Sequence, residues 1–168
     1  MYKRGFTIVE LLIVIVVIAI LAAITIVAYN GIQARANDAS VRADLTAIAK
    51  KFEIFNVDND RYPNTVTELE SLSLRLAKGA YLTDPSTIQS NVVACLSSSS
   101  KEFTITAVTS SGTRLYAGSG KSVTEYSGST SWLGTGNYAN MCSSTLAGST
   151  AIGSGAGWSS AWRPWTGN

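Results

Sequence analysis

The residue that stands out for its chemistry is Glu10. It is the one charge in a nearly unbroken apolar run, FTIVELLIVIVVIAILAAITIVA, from Phe6 to Ala28. As a helix rising ~1.5 Å per residue, this run measures roughly 33–35 Å and crosses the hydrocarbon core of a bilayer. Ile and Val lower helix propensity in water, but in lipid every backbone group must be bonded within its own segment, which leaves helix as the solution. A carboxylate in such a helix costs about 2.5–3.5 kcal/mol on insertion scales, so it signals a function and demands a partner. Met1-Tyr2-Lys3-Arg4-Gly5 precedes the run. Lys3 and Arg4 place the N-terminus in the cytoplasm and the bulk of the chain outside, by the positive-inside rule.

Two further pairs invite chemistry. Cys95 and Cys142 fall on the outer side, where disulfides persist; they read either as one bridge, worth roughly 4 kcal/mol of chain entropy, or as two free thiols. Asp58 and Asp60 are spaced like the first ligands of a calcium loop. Pro63 then stands where that loop needs Gly and Leu69 where it needs a bidentate Glu, so a capped turn is the better reading and no metal site is assigned. The chain has no histidine, which removes Ser-His and Cys-His catalytic pairs and His metal sites, and no cofactor site is read. The sequence reads as a non-enzyme. A formal charge of +2 argues neither for a nucleic-acid surface nor for an acidic one.

These residues need elements to position them, and periodicity supplies them. Past Ala28, Val41, Leu45, Ile48, Phe52 and Phe55 recur at steps of four and three, while Arg42, Lys50, Lys51 and Glu53 take other faces. The helix therefore continues amphipathically to about Val57, where Asp58-Asn59-Asp60 and Pro63 stop it, for a rod of ~78 Å. Asp38 and Arg42 stand at i,i+4, a pairing worth about 0.2–0.5 kcal/mol. Thr65-Val66-Thr67-Glu68 has capping-box spacing, and Leu69, Leu72 and Leu76 continue it as a small second helix ending at Lys78-Gly79. Asn91 to Leu96, Phe103 to Thr109, Arg114 to Gly118 and Ser122 to Tyr126 read as strands, with Ser110 to Thr113 as a hairpin loop. The fold class is α+β: a long N-terminal helix packed on a small antiparallel sheet, followed by a Gly/Ser/Trp-rich loop region. Trp132, Trp158, Trp162 and Trp165 in that region read as anchors on the head, as a subunit contact or as an exposed aromatic surface.

GFTIVE, Gly5 to Glu10, closely resembles the processing site of type IV prepilins, and the long two-part helix and the Asp58-Asn59-x-x-Tyr62-Pro63 segment are similar to those of pilins and secretion pseudopilins. The resemblance implies that a prepilin peptidase removes residues 1–5 after Gly5 and methylates the amine of Phe6. It also implies that Glu10 pairs with the Phe6 amine of a neighbouring subunit during assembly. Residues 6–28 would be the membrane and filament-core helix, 29–57 its amphipathic continuation and 58–168 the globular head. The partners implied are copies of the chain itself, the peptidase, the inner-membrane pilus assembly machinery and, before assembly, membrane lipid; the filament would end outside the cell. Pilins commonly carry one C-terminal bridge, which supports pairing of Cys95 with Cys142. The chain departs from the family where a helix-weakening Pro and Gly are usual: it has Val27 and Ala19, so melting between them on assembly is not carried over.

Within the family, the order of readings is a pilus subunit for adhesion, motility or DNA uptake, then a pseudopilin of a secretion piston. Outside it stands a membrane-anchored binding module that never polymerises. A secretory signal peptide cut near Ala19-Ile20-Leu21-Ala22-Ala23 fits less well, because Glu10 weakens such a signal and the apolar run continues past the cut. A plain single-span anchor leaves Glu10 incidental.

Overall fold

The computed structural model describes residues 5–82, 90–134, 136–154 and 166. It divides into two compact units, Met1–Arg35 and Ala36–Asn168. The first consists of the N-terminal part of α1, the helix Ile8–Asn59, which is long and apolar enough to cross a membrane. Its large side chains are all exposed, from Phe6 at 89% to Val16 at 46%, as expected of a helix whose solvent is not water.

In the second unit, α1 turns one stripe inward. Val41, Leu45, Ile48 and Phe52 are fully buried against the sheet, each burial worth roughly 1.5–3 kcal/mol. The helix runs two residues past the expected stop. Asn59 Nδ2 donates to the Phe55 carbonyl at 2.9 Å, Asp60 N to the Asn56 carbonyl at 2.9 Å, and Asp60 at φ 55° provides the left-handed exit. The sheet is antiparallel throughout, in the order β4-β3-β2-β1-β5, with β1 Val92–Ser97, β2 Phe103–Val108, β3 Arg114–Gly118, β4 Lys121–Glu125 and β5 Ser149–Ser154. Four strands match the sequence reading to within one residue or two.

The C-terminal region corrects it. Where a loop region was expected, helix α3 Asn137–Thr145 and strand β5 form: β5 extends the sheet beside β1, and α3 adds a third layer. Val92, Ala94 and Leu96 face α1, while Val93 and Cys95 face Trp132, Met141 and Cys142. Both faces of β1 and β2 are therefore covered, which is why their burial is continuous and not alternating. Trp132 is fully buried, donates from Nε1 to Ser144 Oγ at 2.8 Å and stacks on Tyr126 at 4.8 Å, so it anchors the head to itself. Trp158, Trp162 and Trp165 lie outside the described residues.

The second helix is also shorter than read. α2 spans Val66–Ser71, with Thr65 Oγ1 accepting from Glu68 N at 3.2 Å. Ser73 at φ 48° ends its chain direction, Lys51 Nζ donates to the freed carbonyls of Leu72 and Ser73, and Leu74 is buried without helix while Lys78–Ala80 forms one 3₁₀ turn. Glu68 turns back on the start of its own helix, toward the Thr65 backbone N–H. Its carboxylate receives Asn64 N at 2.8 Å and both guanidinium nitrogens of Arg61, at 3.0 and 2.5 Å.

That guanidinium holds the Glu68 carboxyl down to about 2, against burial, which works to raise it. The folded chain thus binds this proton less readily than the unfolded chain does, so the contribution is complete above the ordinary glutamate value of 4.5 and is lost as pH falls toward about 2. Unfolding midpoints of the head measured across that window should fall less steeply in Glu68→Gln than in the natural chain. Cys95 and Cys142 are bonded, with Cα atoms 5.4 Å apart, and so tie β1 to α3 across the second core. Replacing both with Ser should cost the head about 2–5 kcal/mol in denaturant titrations while membrane insertion is unchanged.

Candidate functional site

The candidate site is the start of α1. Gly5, Phe6 and Glu10 are all exposed, and Phe6 and Glu10 border one open apolar surface with Leu11, Ile13 and Val14. Thr7 directly precedes the first helical residue, Ile8, and acts as its cap. Glu10 N donates to Thr7 Oγ1 at 3.3 Å, while Glu10 Oε2 accepts from Thr7 N at 2.8 Å and from Thr7 Oγ1 at 2.7 Å. This is a reciprocal capping box, Thr7-Ile8-Val9-Glu10, on the same letters that carry the resemblance to a processing site.

The box changes the account of Glu10. The carboxylate is not bare: two donors satisfy Oε2, which lowers the cost of carrying it in apolar surroundings. Both partners lie beyond Gly5, so cleavage there leaves the box whole. Oε1 accepts no hydrogen bond among the described residues and is the atom open to an amine from elsewhere. Within the same helix, Thr25 Oγ1 donates back to the Leu21 carbonyl at 2.7 Å, which keeps that hydroxyl satisfied in lipid.

The head grips its own part of α1 through polar contacts that the sequence did not announce. Asp38 accepts from Ser111 Oγ at 2.6 Å and Thr113 Oγ1 at 3.0 Å, and Asn37 Nδ2 donates to Ser110 Oγ at 2.7 Å. Burial works to raise the Asp38 carboxyl, but the hydroxyls of Ser111, Thr109 and Thr113 and the charge of Arg42 leave it lowered. Asp38 is thus engaged by the β2–β3 loop and Arg42 reaches Glu125 at 3.9 Å, so the expected Asp38–Arg42 pair acts through charge and not as a direct ion pair. Asp44 accepts from Ala77 N at 2.7 Å and from the Tyr81 hydroxyl at 3.0 Å; burial raises its carboxyl despite both bonds. Among the described residues, no group of three or more His, Cys, Asp or Glu side chains gathers to hold a metal.

With this geometry in hand, the comparisons are specific about the N-terminus. Residues 1–26 match the prokaryotic N-terminal methylation motif. The chain is 44% identical over 72 residues to the type IV wide pilus major component of Thermus thermophilus, a match covering 43% of this chain and 55% of that protein. This chain is homologous to a type IV pilin and to type II secretion pseudopilins. For the latter, it is 34% identical over 70 residues to the type II secretion system core protein G of Klebsiella pneumoniae, covering 42% of this chain and 50% of that one. The corresponding protein of Escherichia coli shows the same identity over 70 residues, covering 42% of this chain and 48% of its own. The chain spans about half the length of the curated relatives it matches. No solved structure matches it. The pilin homology accounts for a lone carboxylate, a capped helix start and a long exposed apolar helix on one chain; the matched motif contains Gly5, Phe6 and Glu10.

Proposed function

We propose that this chain is the structural subunit of a type IV pilus-like extracellular filament, serving adhesion, motility or DNA uptake, and is not an enzyme. The observation that carries this reading is the joining of the N-terminal methylation motif to an uninterrupted helix, Ile8–Asn59, whose residues 8–28 expose only apolar side chains apart from Glu10 and Thr25. The precursor sits in the membrane with residues 1–5 in the cytoplasm and the head outside. A prepilin peptidase cuts after Gly5 and methylates Phe6, and the assembly machinery then transfers the helix from lipid into a bundle of its own copies. The head, residues 58–168 with the helix section 29–57 behind it, is carried to the outside of the filament.

In that transfer Glu10 is the residue for which environment matters most. Its free Oε1 meets the methylated Phe6 amine of a neighbouring copy in surroundings of low dielectric, where a paired charge is held strongly and an unpaired one costs several kcal/mol. Apolar Leu, Ile and Val surfaces slide past one another with little preference, so this pair also sets axial register. The second reading is a pseudopilin, favoured by the matches to secretion core protein G and by the Tyr62-Pro63 segment after α1. The higher identity to the pilus component supports taking the pilus as the first reading. Deletion of the gene separates the two: loss of long surface filaments supports the pilus, and loss of protein export with unchanged filaments supports the piston.

Mass spectrometry of the purified subunit should find an N-terminus at Phe6 carrying one added methyl group; an N-terminus at Met1 or after Ala23 would remove the reading. Glu10→Val and Glu10→Gln should insert and be cleaved at least as well as the natural chain, because they remove a charge that opposes burial, yet yield few filaments. Normal filament yield from Glu10→Val would show the carboxylate to be dispensable.

A further inference from the structure

At the start of α3, the second core carries a hydrogen-bond network that protein groups do not complete. Asn137, the first residue of that helix, is fully buried, and its Nδ2 donates to the Ser90 carbonyl at 2.8 Å and to the Trp132 carbonyl at 2.9 Å. One side chain thus ties together the entry to β1, the loop at Trp132 and α3, which matters because Gly136 offers α3 no side-chain cap. Asn91 stands one peptide unit away, since the carbonyl that Asn137 grips belongs to the residue before it. Asn91 is fully buried too, and its backbone carbonyl accepts from Val108 N at 2.9 Å. Among the described residues, three buried side-chain atoms are left without a partner: Asn91 Nδ2, Asn91 Oδ1 and Asn137 Oδ1.

Exchanging the amide ends does not mend this. Turning Asn137 over would set its oxygen against two carbonyls, and turning Asn91 over leaves both of its atoms unpaired. A buried amide without partners forfeits the hydrogen bonds it makes to solvent when unfolded, so native interiors either pair such groups or keep water with them. We infer that internal water is bound at this junction, hydrogen-bonded to the Asn91 amide and to Asn137 Oδ1. The orphaned set selects the ligand. It mixes one donor group with two acceptors, and water both donates and accepts, whereas a metal cation is held by lone pairs alone and an anion by donors alone. About three hydrogen bonds is the usual complement of one buried water, which matches the three atoms on offer. Among the described residues, no group of acidic, His or Cys side chains gathers to hold a cation instead. Val93, Val108, Trp132 and Met141 make their part of the second core apolar, so water bound here has the amides as its partners. It completes the clamp by which Asn137 fixes the start of α3, whether or not the chain forms a filament.

The test uses the full-length chain in detergent micelles. Heteronuclear NMR of the natural chain should show cross-peaks from long-lived water to the side-chain amide protons of Asn91 and Asn137. Asn91→Leu replaces the amide with an apolar side chain of similar size and should abolish the water cross-peak at Asn137 while the Cys95–Cys142 bridge stays formed. Asn91→Ser, which keeps a hydroxyl and frees space, should retain it. The inference is overturned by the absence of long-lived water at either amide in the natural chain. It is equally overturned by cross-peaks from the Asn91 amide protons to side chains of residues 83–89, which would put a protein group in the place assigned to water. Persistence of the Asn137 signal in Asn91→Leu would show that the two amides share no water. Should that variant not fold, the measurement on the natural chain still decides.

Discussion

One constraint governs the molecule: the first half of α1 must never be left in water. Its side chains from Phe6 to Ile32 are exposed, and at roughly 25 cal/mol per Å² of apolar surface a helix of this length is held to any apolar host by far more than the head's own folding free energy. Only two hosts are on offer, a bilayer and other copies of the same helix. On the filament reading proposed above, the chain exchanges one for the other, and its polar residues suit that exchange. Thr7 and Thr25 satisfy themselves on their own helix. Glu10 satisfies one carboxylate oxygen on Thr7 and keeps the other available, which fits its proposed role of tolerating the first host and recognising the second.

The head is organised around the same helix from the other end. Four large apolar side chains of α1 enter the core, Phe52 and Tyr62 both packing on the Phe103 ring at 4.8 and 4.6 Å. Polar contacts from Asp38, Asp44, Lys51 and Glu53 then fix the helix at four levels against the β2–β3 loop, the segment before β1, the end of α2 and Tyr62. Helix and sheet could not slide along one another without breaking several of these at once. A subunit pulled by its head therefore transmits the force to α1 through directional bonds as well as through apolar contact, which alone resists sliding poorly.

What the sequence disclosed follows from which signals are local. A capped turn, a four-and-three stripe and β-branched runs are written in neighbouring residues, so α1, α2 and four strands were legible. α3 and β5 were not, because their stability is tertiary. α3 buries only Asn137, Met141 and Cys142, has no side-chain cap at Gly136, and holds its place through the bridge to β1 and the packing of Trp132. Its Ser- and Asn-rich letters carry weak helix propensity, and the paired strand β5, STAIGS, has one large apolar residue, Ile152. In retrospect Trp132 with Met141-Cys142 is the available clue, since buried aromatic and sulfur groups need a second layer to be buried under. The Leu69-Leu72-Leu76 stripe misled in the opposite sense: Leu74 is the buried residue past α2, because Ser73 takes the left-handed region and Lys51 captures the freed carbonyls.

At the site, Gly5, Phe6 and Glu10 were legible because the motif is contiguous, and Thr7 escaped notice for the same reason, one string of letters serving as both processing signal and helix cap. The two roles fit together physically. A peptidase acting at the membrane face needs the chain around Gly5 extended and accessible, and the capping box ensures this by starting the helix at Ile8 and no earlier. The helix boundary thus separates Gly5, where the proposed cut falls, from Glu10, the residue proposed to direct assembly. Gly5 and Phe6 remain outside the regular helix, while Glu10 is locked one turn within it, at a fixed height relative to every apolar side chain that follows. A carboxylate on a frayed terminus could find an amine at many offsets; one held by Thr7 on a rigid helix can find it at few. On the proposed filament reading, register is therefore set within the first turn of the subunit.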